Sequence, residues 1–137
     1  MKELIKKAKV QAERGKALAL GFLRGELGRV GPARVRPATA LTLIWLQAVF
    51  GSVEEAFAPL MEDEPSVERL VHILAILDVS TDKRCSDYRR ARKRIERLRE
   101  KLARMSASDV MRGAGLLVMA FEGMKGASGR GEQEHLS

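Results

Sequence analysis

The sequence predicts an all-α fold, a compact single domain of five to six helices. Three observations predict it. Apolar residues recur at helical spacing along most of the chain, and no convincing period-two run appears. Ser-x-x-Glu and Ser-x-x-Asp patterns stand where helices would open. The 137 residues are 45% hydrophobic, which suits one domain with one core. The domain is placed at residues 1–125 and a flexible tail at 126–137, where apolar pattern is lacking.

The first helix is read over Lys2–Leu27, with Leu4, Ile5, Ala8, Ala12, Ala19, Phe22 and Leu23 on one face. Gly15, Gly21 and Gly25 weaken it and allow a kink or an early end. Gly28–Pro37 reads as a loop carrying Arg29, Arg34 and Arg36. A second helix opens at Pro37 and ends at Gly51, apolar nearly all round. Ser52-Val-Glu-Glu55 caps a third, which Pro59 stops. After the acidic turn Glu62-Asp63-Glu64, Pro65 opens a fourth, through Leu77. A turn at Asp78–Asp82 leads to a fifth helix at about 83–105. Ser106-Ala-Ser-Asp109 caps a sixth, to about Met124. The second and sixth helices are expected at the centre.

Composition excludes several classes. One cysteine, Cys85, makes no internal disulfide, and with His72 and His135 it is too few soft ligands for structural zinc. The six aromatics, Phe22, Trp45, Phe50, Phe57, Tyr88 and Phe121, argue against modules that stack bases on rings. The basic N-terminus has no apolar run behind it, so no secretory signal is expected. The most apolar stretches, Ala38–Phe50 and Gly113–Phe121, are 13 and 9 residues long. A membrane span needs about 20. The expected setting is intracellular, cytoplasmic or nucleoid-associated, with no membrane partner.

Charge is blocked rather than mixed. Residues 1–36 are net +7, residues 37–82 net −7, residues 83–104 net +8 and residues 105–137 net −1. Twenty-two residues thus carry more charge than the whole chain, whose net is +7. Such asymmetry is the main sequence sign of a polyanion partner. It also permits neutralisation of the basic ends by the acidic middle, within the chain or between copies.

The segment over 83–105 is the most informative. Tyr88, Ala91, Ile95, Leu98, Leu102 and Met105 form an apolar seam at spacings of 3 and 4. On the outward side lie Arg90, Lys93, Arg94, Arg97, Lys101 and Arg104, flanked by Arg89, Arg92 and Arg99. Cations in a row neutralise phosphates with strong, sequence-blind affinity. Between residues 83 and 104 arginine outnumbers lysine eight to three. Arginine makes bidentate phosphate contacts and reaches guanine edges. A solvated face is the plain alternative. Solvated faces usually mix signs and support themselves by i,i+4 pairs, and here only Asp87, Glu96 and Glu100 can pair. Docking on an acidic protein surface, such as residues 52–68 of a neighbour, is the other alternative.

Helix, turn and basic helix over residues 67–105 also resemble a helix-turn-helix unit, whose second helix enters the major groove. The turn lacks glycine, and a generic helical hairpin fits equally. No phosphate loop, dinucleotide fingerprint or His-Glu-x-x-His is present. Gly113-Ala-Gly115 reads as a close helix-packing site, His72 as a core-edge histidine, and Cys85 as a structural thiol. Nearby cations would lower the Cys85 pKa. Met61, Met105, Met111, Met119 and Met124 read as core filling. No catalytic residue, metal site or cofactor is expected.

The function expected is non-enzymatic nucleic-acid binding through Arg89, Arg90, Lys93, Arg94, Arg97, Lys101 and Arg104, aided by Arg29, Arg34 and Arg36. DNA and RNA stand equal. The protein is expected to act as a homo-oligomer or inside a larger nucleoprotein complex. In size, helical pattern and basic face it resembles the helical small subunits of RNA-guided complexes and helical coat proteins that wrap nucleic acid. The likeness is of general character and transfers no site. The alternatives are a helix-turn-helix transcriptional regulator and an adaptor for an acidic protein.

Overall fold

The computed structural model describes Ile5, residues 25–85 and residues 87–136, with side chains as far as Glu122. Most of the helix expected over Lys2–Leu27 lies outside the described residues. At its end the chain is not helical. Gly25 has φ +125, and residues 25–27 lead into a hairpin.

That hairpin corrects the loop expected at Gly28–Pro37; the fold is mostly helical, as expected, with one small two-stranded sheet added. Strands β1 (Gly28–Val30) and β2 (Ala33–Val35) pair antiparallel, with Arg29 opposite Arg34. Gly31 takes φ +56 at the first position of the two-residue turn, ahead of Pro32. Glycine there is the requirement of a type II′ hairpin. Val30, Ala33 and Val35 point into the core while Arg29 and Arg34 face out. Three-residue strands are too short for alternation to stand out against helical periodicity.

Helix α1 (Ala40–Phe50) starts three residues after Pro37. Thr39 and Thr42 cap it reciprocally, and Gly51 ends it at φ +94. Ser52 caps α2 (Val53–Phe57) through Glu55 N–H, 3.0 Å away, and Pro59 lies in the following 3-10 turn. Ser66, not Pro65, caps α3 (Val67–Ser80). Asp87 caps α4 (Tyr88–Ala103), accepting from Arg90 N–H at 2.9 Å, so the basic helix begins five residues later than Lys83. Ser106 accepts from Asp109 N–H at 3.2 Å and opens α5 (Ala107–Leu136). The α5 backbone stays helical through the segment expected as a tail.

The centre is α3, not the helices expected there. Its residues 70, 71 and 73–80 are all buried. It touches α1, α2, α4, α5 and β2. A helix apolar on every side is one that neighbours must cover on every side. Buried Thr42 and Ser80 share a 2.7 Å hydrogen bond that ties α1 to α3. Gly113 of α5 lets the helix approach the hairpin: a Cβ there would meet Val30 Cγ2 at 2.6 Å. The close packing expected of that glycine is present.

Candidate nucleic-acid interface

The α4 seam packs as its spacing requires. Ala91, Ile95 and Leu102 are buried, and Tyr88, Leu98 and Met105 are partly buried against the same core. Burying one side fixes the other outward. Arg89, Arg90, Lys93, Arg94, Arg97, Lys101 and Arg104 are all exposed. From Arg90 to Arg104 the row runs about 21 Å at 1.5 Å per residue.

Partners differ along the row. Arg94 donates to Asp82 Oδ2 at 2.8 Å, and Arg84 reaches the same carboxylate at 3.3 Å. These bonds hold the Asp82 carboxyl far below the usual carboxylate range. Arg99 turns aside to Glu96, 3.1 Å, and Glu68, 3.8 Å. Among the described residues no carboxylate pairs with the side chain of Arg89, Arg90, Lys93, Arg97, Lys101 or Arg104. These six cations are held on the outward side of a helix packed by its other face, without local neutralisation.

The hairpin arginines divide. Arg29 and Arg34 lie outward and share Glu26 Oε1, at 3.1 and 3.3 Å. Arg36 turns inward. Its Nη1 donates to the Asp78 carbonyl at 3.2 Å and to Thr81 Oγ1 at 3.4 Å, and lies 3.7 Å from Asp78 Oδ1. With its side chain 19% exposed, Arg36 ties the hairpin to α3. Sequence alone grouped it with Arg29 and Arg34, because its partner lies 42 residues away.

A groove of about 270 Å³ opens where α4 ends, lined by Arg29, Val30, Met105, Asp109, Arg112 and Leu116 among others. Arg112 is 82% exposed and pairs with Asp109 at 3.7 Å. The sequence offered no sign that Arg112 and Arg29 share a groove.

The other candidates read as structural. His72 lies edge-on to Phe50, and burial, with the Arg99 charge, pushes its pKa down to about 4. Burial pushes the Cys85 thiol up, against the lowering expected from nearby cations. Arg69 lies over the Phe50 ring, 4.2 Å from its centroid. No His, Cys, Asp and Glu group among the described residues could hold a metal ion. Met61 is exposed, whereas Met105 and Met111 pack on the core. Among the described residues no single helix is long and apolar enough to cross a membrane, although α1 and the segment 53–60 pass that test as a sharply bent pair.

The connection from α3 to α4 runs over residues 81–87. It is longer than the three- to four-residue turn of a helix-turn-helix unit. The generic helical hairpin is the better description.

Comparison with protein-family models, curated proteins and solved structures finds no match.

Proposed function

We propose that this is a non-enzymatic nucleic-acid-binding protein that grips the phosphate backbone through the outward face of α4. It serves as an accessory or structural component, as an oligomer or within a larger nucleoprotein complex in the cell interior. One observation carries the proposal: six exposed cations on α4 have no carboxylate partner among the described residues, while the opposite face is locked in the core. Like charges one turn apart repel. A polyanion relieves that repulsion and releases its own counterions. Arg29 and Arg34 extend the surface, and Arg36 does not belong to it.

The test is fluorescence-anisotropy titration with labelled nucleic acid across salt concentrations. Six phosphate contacts give a log–log salt slope of about −5.4 on B-form duplex and about −4.2 on single strands. Affinities are expected to vary little with sequence. No binding at about 0.15 M salt overturns the proposal and leaves an acidic protein as the partner to seek.

A further inference from the structure

We infer that the ligand is a duplex, held by two cationic arms that meet its two backbones across one groove. The inference rests on the proposed nucleic-acid binding and names its substrate class. The first arm is the α4 row, Arg90 to Arg104. The second is Arg29 and Arg34 on the hairpin with Arg112 on α5, all exposed. The groove where α4 ends joins them: Met105, directly after Arg104 in the chain, lines it beside Arg29 and Arg112. Val30, Met105 and Leu116 give it an apolar part beside Arg29, Asp109 and Arg112. A single strand has one backbone and engages one arm. A duplex presents two, separated by a groove.

The aromatic side chains point the same way. Single-strand binders stack bases on exposed rings. Here every described ring is engaged inside the fold. Trp45 meets Tyr88 at 5.4 Å, Phe57 meets Phe121 at 5.0 Å, and Phe50 lies between His72 and Arg69. The described surface therefore offers charge to a backbone and no stacking platform to unpaired bases.

The second arm holds three arginines against Glu26 and Asp109, a net of one positive charge. One net contact at 0.15 M salt is worth about fivefold in affinity. Its role is selection of duplex, with α4 providing most of the attraction.

The experiment titrates the full chain with duplex DNA, duplex RNA and the matching single strands at about 0.15 M salt. Wild type is compared with the Arg29→Gln, Arg34→Gln, Arg112→Gln triple variant and with an Arg90→Gln, Arg97→Gln, Lys101→Gln variant. The triple variant takes this arm from net +1 to net −2 and is expected to bind duplex at least about fivefold more weakly, with a smaller loss on single strands. The α4 variant is expected to lose both. Equal loss on duplex and single strand in the triple variant, or no loss on either, overturns the two-arm inference while α4 binding stands. Wild type that binds no probe overturns the underlying function as well. Arg112→Gln alone, at an exposed position, repeats the comparison should the triple variant melt early.

Discussion

Arg36 and Asp78 hold the hairpin against the last turn of the central helix. The Arg36 guanidinium lies 3.7 Å from the Asp78 carboxylate and donates to the Asp78 carbonyl, while Asp78 Oδ2 accepts the Arg34 backbone N–H at 3.0 Å. Breaking a buried pair by removing one partner leaves an uncompensated charge, at roughly 3–5 kcal/mol. Asp78→Ala is expected to cost about that much. Arg36→Gln is expected to lower stability while leaving the polyanion affinity of the folded protein unchanged. Urea denaturation and anisotropy together check this. Weakened binding at full stability would return Arg36 to the interface.

Replacing Arg90, Arg94, Arg97 and Lys101 by Gln is expected to abolish polyanion binding with helix content intact. Circular dichroism and titration measure the two. Unchanged binding would remove α4 from the interface.

Asp82 holds Arg94 and Arg84 away from a ligand. Asp82→Asn is expected to raise polyanion affinity about fivefold, the worth of one further free cation at 0.15 M salt. Equal or lower affinity in the variant would show that Asp82 positions Arg94 for binding instead.

His72 sets an acid limit on stability. Its folded pKa of about 4 lies below the ordinary 6.5, so the unfolded chain binds the proton first. Stability is full above about pH 6.5 and falls as pH drops toward 4. Arg99, Arg69, Glu96 and Glu68 all act on the ring, and burial dominates. His72→Leu is expected to flatten this part of the curve of melting temperature against pH. An unaltered slope would assign the effect to other groups.

Gly113 permits the contact between α5 and the hairpin. Gly113→Val is expected to destabilise by about 1–3 kcal/mol, because its Cβ overlaps Val30. Stability equal to wild type in thermal melts would show that Val30 moves aside freely.

Local signals were legible in the sequence and distant ones were not. The α4 seam follows from its 3–4 spacing, and the caps at Ser52 and Ser106 from their own side chains. The start of α4 reads from the sequence as Lys83 because Lys83 and Arg84 extend the basic run, whereas the cap at Asp87 decides the boundary. The β-hairpin is not legible because three-residue strands carry almost no periodicity. The identity of the central helix is hidden for another reason. Both α1 and α3 are apolar, and only tertiary contacts decide which is covered on all sides. Ile44 of α1 remains 57% exposed, while Leu74 and Leu77 of α3 are sealed. Within the candidate interface, the exposed row on α4 was readable from the helical wheel. The inward turn of Arg36 and the pairing of Arg29 with Arg112 around a groove depend on residues far apart in the chain.

The encirclement of α3 determines how the molecule opens. An amide proton in residues 73–77 reaches water only if helices on several sides separate. Those amides should exchange with deuterium only through global unfolding, while amides of α4 exchange through smaller, local openings. The basic surface can therefore breathe against a ligand without loosening the centre that aligns it.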